Sequence, residues 1–111
     1  MAFLRACALA DIADDAALAV TVDGQDVAIA RHGEELFAIE DMCSHASVAL
    51  SEGDYEDCTV ECWLHGSRFD LRTGKPTGLP ATEPVATFPI EVRGTDVYVD
   101  TETTLNGVTP A

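Results

Sequence analysis

Two short runs hold the residues best suited to chemistry: Cys43-Ser44-His45 and Cys62-Trp63-Leu64-His65. Each joins a thiol to an imidazole, and sixteen residues separate His45 from Cys62. Close spacing puts both side chains of a pair on one tight loop, so little chain entropy is lost when they converge on a metal. Two centres fit these donors. A single zinc ion would take two thiolates and two imidazoles tetrahedrally. Structural zinc sites usually group their ligands as a cysteine pair and a histidine pair, whereas here each loop carries one of each. That mixing suits a [2Fe–2S] cluster held asymmetrically, with both cysteines on one iron and both histidines on the other.

Cys43-x-His45 followed by Cys62-x2-His65-Gly66-Ser67 resembles the Rieske signature. Phe69-Asp70 to Thr73-Gly74, then Gly78-Leu79-Pro80-Ala81, is similar to the segment after that signature in small Rieske ferredoxins. The likeness extends over the flanking hairpins and leaves out only the tail. It implies an all-β Rieske fold, in which two packed antiparallel sheets form a base and an inserted smaller β lobe carries the cluster. The ligands it implies are Cys43, His45, Cys62 and His65, with both histidines at an exposed tip. It also implies an electron carrier rather than an enzyme. Electrons would pass from an NAD(P)H-dependent flavin reductase to a terminal Rieske non-haem iron oxygenase. Small Rieske proteins of iron–sulfur assembly and nitrite reductase systems are alternatives within the same resemblance. A redox sensor and a structural zinc module stand outside it.

Charge explains what histidine ligation does. Two ferric ions, two sulfides and two thiolates sum to zero, so reduction leaves a single negative charge. With four cysteines the electron would enter a site already doubly negative. The potential therefore rises, to about −150 to +300 mV against about −400 mV for plant-type ferredoxins. High-potential members of the family carry an extra, disulfide-bonded cysteine in each loop; Val48 and Leu64 stand at those positions and cannot bridge. Such members also donate hydrogen bonds to the cluster sulfurs from a serine and a tyrosine. Ser67 matches the serine, but Phe69 stands where the tyrosine would be. A low potential is expected, raised slightly by Ser67.

The remaining polar and sulfur-bearing residues read more simply. Cys7 is expected as a buried apolar residue of a first strand, and Cys58 as a non-ligand. His32 reads as a solvated hairpin residue. Trp63 and Leu64 are read as a cover over the cluster, and Gly66, Gly74 and Gly78 as turn residues near it. Gly78-Leu79-Pro80 resembles the loop that shields the cluster in this family. Asp70 receives no acid or base role. Within 62–82, Arg68, Arg72 and Lys75 outnumber the single carboxylate Asp70. The second cluster loop should then be the least acidic patch and orient docking as one end of a dipole.

The elements that must position these loops read as strands. The 111 residues are about one domain's worth. Val20-Thr21-Val22, Asp23-Gly24 and Val27 to Ala30 predict a tight hairpin. Leu36 to Ile39 should come next as a strand beyond His32-Gly33. Phe88 to Val92 and Val97 to Val99 flank Arg93-Gly94 as a second hairpin, with Pro89 at an edge or bulge. Residues 11–19 look helical by propensity, or form a single turn. A single domain over 1–103 is expected, with a base of 1–42 and 83–103 and a cluster lobe of 43–82. The polar residues from Thr101 onward, and 104–111 above all, read as a loose tail.

Charge bounds the partners. Twenty acidic against six basic residues give a net charge of −14. Nucleic acid and anionic membranes both reward the opposite sign. No apolar run approaches the ~18 residues of a membrane helix. Arg5 interrupts the apolar start, unlike a secretory signal, and a cytoplasmic location with reduced thiols is expected.

Overall fold

The computed structural model describes residues 3–14, 16–43, 48–64, 66–79 and 81–110. Among these residues ten strands form three antiparallel sheets. Strands β1 (Leu4–Ala8), β10 (Asp96–Val99) and β9 (Ile90–Arg93) make the first sheet, in the order β1-β10-β9. The second is β2 (Ala16–Val22), β3 (Gln25–His32), β4 (Glu35–Glu40) and β8 (Thr87–Phe88), in the order β2-β3-β4-β8. The third, β5 (Tyr55–Glu56), β6 (Thr59–Glu61) and β7 (Arg68–Asp70), is built from chain lying between β4 and β8.

Turn chemistry sets the hairpins. Asp23 and Gly24 both take positive φ, 49° and 79°. That is the geometry whose twist matches two flanking strands, and it joins β2 to β3 in a seven-pair register from Ala16↔Arg31 to Val22↔Gln25. Gly94, at φ 64°, turns β9 into β10. Pro89 does more than mark an edge. It separates Phe88, which pairs with Ala38 of β4, from Ile90, which pairs with Val99 of β10. The chain changes sheets at the residue that has no N–H to give to either.

Local propensity misleads at 11–19. A single 3-10 turn covers Leu9–Asp11, and β2 runs from Ala16. A nine-residue alanine-rich helix has too few hydrogen bonds to offset its nucleation. The same residues on β2 are paired along their full length with β3.

The second sheet is a shared wall between two cores. Successive side chains of a strand point to opposite faces. On β3, Val27 and Ile29 enter one core while Ala28 and Ala30 enter the other. On β4, Ala38 faces the first and Ile39 the second. A strand buried on both faces reads as a continuous apolar run, which explains Val27 to Ala30. The first core lies against β1 and β10 with Cys7, Val97, Val99 and Phe88. The second lies under the third sheet and contains Cys43, Cys58 and Cys62 with Leu50, Phe69 and Leu71.

Two further expectations change. His32 is not a solvated hairpin residue: its Nδ1 is hydrogen-bonded to the Tyr55 hydroxyl, which ties β3 to β5. Nor is the chain beyond Thr101 loose. Leu105 N–H donates to the Thr87 carbonyl at 2.8 Å, and Val108 packs against the first core.

Candidate metal centre

Cys43 and Cys62 lie in the same core, 3% and 0% exposed. Each begins a loop closed in the same way. The Cys43 N–H donates to the Val48 carbonyl at 2.9 Å, and the Cys62 N–H donates to the Ser67 carbonyl at 2.6 Å. In both loops the cysteine amide bonds the carbonyl five residues on, and a histidine lies inside the six-residue span. His45 and His65 themselves lie outside the described residues. Gly66 tightens the second loop: its φ of 82° is left-handed and its N–H returns to the Cys62 carbonyl at 2.8 Å.

The two loops stand on braced supports. Asp41, just before the first loop, is buried, and its carboxylate accepts the Ser51 N–H at 2.7 Å and the Ser51 hydroxyl at 2.6 Å. The second loop tops the β6–β7 hairpin. Glu61 and Arg68 pair across its base, with Arg68 Nη2 donating to Glu61 Oε2 at 2.8 Å. A joint links the two supports: Glu61 N–H donates to the Asp54 carbonyl at 2.9 Å. Gly53 sits so close that a Cβ there would lie 1.6 Å from the Glu61 carbonyl oxygen. Sequence reading found the ligand loops but missed Asp41, Ser51 and the role of Gly53. Of these, Gly53 alone carries a sequence signal, since glycine marks turns.

Ser67 is 1% exposed, and its Oγ accepts the Ala81 N–H at 3.0 Å. That bond leaves the hydroxyl hydrogen to be donated elsewhere. It also draws the loop ending at Ala81 over the second cysteine loop. Phe69 is fully buried and offers no hydroxyl. Gly74 turns at φ 75°, whereas Gly78 has no positive φ and nothing near its Cβ position.

Trp63, Leu64 and Leu79 are 52%, 46% and 79% exposed. Trp63 and Leu64, read from the sequence as a cover over the cluster, turn apolar surface to solvent. Two of the three cations in 62–82, the stretch expected to be least acidic, are paired with carboxylates. Arg68 is paired with Glu61, and Arg72 Nη2 donates to Glu35 Oε1 at 3.1 Å. Trp63, Leu64 and Leu79 are the exposed large apolar side chains of this stretch among the described residues.

The other two thiols are set apart by their surroundings. Cys58 occupies the second corner of the β5–β6 turn, at φ 61° beside Asp57 at 49°. Burial pushes its thiol up; Arg72 opposes the rise, while Asp70, Glu35 and Asp57 add to it. Burial likewise pushes Cys7 up, helped by Asp11 and opposed by Arg5. Cys7 lies in the first core, on the far side of the shared wall from Cys43 and Cys62.

The described donors fit an iron–sulfur cluster. Two buried thiols, unbridged by any disulfide among the described residues, open two matching loops beside a hydroxyl with a proton to give.

The Rieske [2Fe–2S] domain family matches residues 2–89. The chain is 44% identical over 98 residues to the 3-phenylpropionate/cinnamic acid dioxygenase ferredoxin subunit of Shigella boydii, covering 87% of this chain and 92% of that protein. The solved ferredoxin of carbazole 1,9a-dioxygenase from Nocardioides aromaticivorans IC177 superposes with a TM-score of 0.85 at 37% identity, over 89% of this chain and 97% of that one. A structure described as the complex of reduced oxygenase and oxidized ferredoxin in carbazole 1,9a-dioxygenase matches at TM-score 0.82 and 36% identity, over 87% and 91%. The donors alone left zinc and a [2Fe–2S] cluster both open; the family match decides for the cluster. Sequence, fold and the paired loops agree, and the chain belongs to the Rieske [2Fe–2S] family.

Proposed function

We propose that this chain is the cytoplasmic electron carrier of an aromatic-ring dioxygenase system. It would accept electrons from an NAD(P)H-dependent flavin reductase and deliver them to a terminal Rieske non-haem iron oxygenase. Cys43 and Cys62 would ligate one iron, His45 and His65 the other. When bound, the cluster supplies a one-electron acceptor and donor and makes or breaks no substrate bond.

The observation that carries this reading is the pair of buried cysteines, Cys43 and Cys62, in one core, with exposed apolar Trp63 and Leu64 directly following the second. The core around Cys43 and Cys62 excludes water from the thiolate side. Trp63 and Leu64 on the second loop, and Leu79 on the loop that bonds to it through Ala81 and Ser67, present apolar surface where a partner can dry the contact and come close. Aromatic and aliphatic side chains form the centres of such interfaces. The relatives named as ferredoxins, and the match to a ferredoxin in complex with its oxygenase, support the same partner class.

The expected test is turnover. Holoprotein is mixed with NADH, a flavin-dependent ferredoxin reductase and a ring-hydroxylating oxygenase. The cluster should be reduced, and product should form only when this chain is present. A cluster that forms but stays oxidised with every such reductase would defeat the reading.

A low potential follows from Val48, Leu64 and Phe69, none of which can supply the bridging disulfide or the second hydroxyl. Ser67 is the remaining donor. Its removal in Ser67→Ala should lower the midpoint by about 60 mV, which is about 1.4 kcal/mol for one electron and about one charge-assisted hydrogen bond. An unchanged midpoint in a redox titration would remove Ser67 from the site.

A further inference from the structure

We propose that Asn106 is a positioning residue for the loop that covers the cluster, acting from the far end of the chain. The inference rests on the cluster-bearing reading above. Asn106 uses all the hydrogen-bonding capacity of its side-chain amide. Nδ2 donates to the Thr73 carbonyl at 2.9 Å and to the Val85 carbonyl at 2.8 Å. Oδ1 accepts the Thr87 N–H at 3.2 Å and the Val108 N–H at 3.3 Å. An amide has two hydrogens to give and two lone pairs to receive, and here each is spent on backbone.

The three distant partners define what is held. Thr73 lies in the turn leaving β7. Val85 and Thr87 lie on the chain returning into β8. Between them runs the loop that crosses Ser67, where Ala81 donates to the Ser67 hydroxyl. Asn106 therefore ties the outgoing end of that loop to its incoming end. Gly74 shows how closely the joint is packed. Its carbonyl accepts the Val85 N–H at 2.8 Å, and a Cβ on it would lie 2.2 Å from the Val85 carbonyl and 2.7 Å from Asn106 Nδ2. Leu105 adds a backbone bond to Thr87 on the outer edge of β8, so the strap also covers an edge strand. Asn106 lies beyond residues 2–89, the stretch matched by the family.

The consequence concerns the loop, not the base. Without the amide clamp, Ala81 can lift from Ser67 and let water and chelators reach the cysteine loops. The β2–β3 hairpin shares no bond with Asn106 and should not respond.

Three changes test this: Asn106→Asp, which keeps the shape but turns both donors into an acceptor facing two carbonyls; Asn106→Ala; and a chain ending at Thr104. Amide hydrogen exchange and the rate of cluster loss to an iron chelator are measured on holoprotein. Exchange at Ala81 and Val85 should speed by at least about tenfold, the ratio expected when one or two net hydrogen bonds are lost. Exchange at Ala28 and Ile29 should stay as in the parent, and cluster loss should accelerate by a similar factor. Should Asn106→Asp fail to fold, Asn106→Ala and the shortened chain give the same readings. Unchanged Ala81 exchange and unchanged cluster loss in an iron-loaded variant would overturn the clamp and leave the electron-carrier reading standing. A parent chain that holds no iron or sulfide would overturn the carrier reading, and exchange at Ala81 would still decide the clamp.

Discussion

Gly53→Ala should unfold at a temperature lower than the parent by roughly 12–24 °C, a loss of about 3 kcal/mol or more for a domain of this size. Gly53 has φ −87° and ψ 176°, angles open to any residue, so the cost is steric alone. The new methyl would sit 1.6 Å from the Glu61 carbonyl oxygen and 2.8 Å from its carbon. Both are backbone atoms of β6, fixed by pairing with β7, and neither can rotate away. Relief requires the turn after Leu50 to move off β6. That breaks the Glu61–Asp54 bond and separates the supports of the two cysteine loops. Iron content should fall together with stability. Gly78→Ala is the control: with open space around it and no positive φ, it should stay within about 0.5 kcal/mol of the parent. Thermal unfolding of the two variants checks the pair. A Gly53→Ala protein melting with the parent would mean that the joint is not tight in solution.

The four cysteines should separate into two classes. Cys43→Ser and Cys62→Ser should each purify without a stable cluster, because a serine hydroxyl is a harder ligand and far less acidic than the soft thiolate that iron–sulfur chemistry requires. Cys7→Ser and Cys58→Ser should keep a full complement of iron and sulfide. Each would lose about 1–3 kcal/mol for a hydroxyl buried where a thiol was. Burial pushes both of these thiols up, which disfavours the thiolate form that a metal takes. Cys58 is the sharper test, since it is four residues from Cys62 and shares its core. Loss of iron in Cys58→Ser would show that the ligand set has been misassigned.

Much of this molecule is legible in its sequence where the signal is local. Asp23-Gly24 and Gly94 mark their turns because few residues accept positive φ. The two ligand loops stand out because metal chemistry demands particular side chains at short spacing. The misreadings share one cause. Ala16 to Ala19 are strand because β3 lies beside them, and nothing within the segment says so. The Asp41–Ser51 brace spans ten residues, and the bond from Asn106 to Thr73 spans thirty-three. Neither leaves a pattern, because an aspartate or asparagine in a loop has many uses. Charge shows the same limit: Arg72 counts as positive in sequence, and Glu35 from β4 meets it in space. Phe69 shows the reverse case, where a position first read for the hydroxyl it lacks proves also to be a fully buried part of the core beneath the loops.

Two thiolates and two imidazoles should share one pair of bridged irons. Pulsed electron paramagnetic resonance of the reduced protein, prepared with and without nitrogen-15 histidine, addresses this directly. The expected result is a [2Fe–2S] signal coupled to two histidine nitrogens, with both couplings changing on labelling and one lost in each of His45→Cys and His65→Cys. A reduced cluster with no nitrogen coupling, or a colourless protein holding zinc and no labile sulfide, would contradict it.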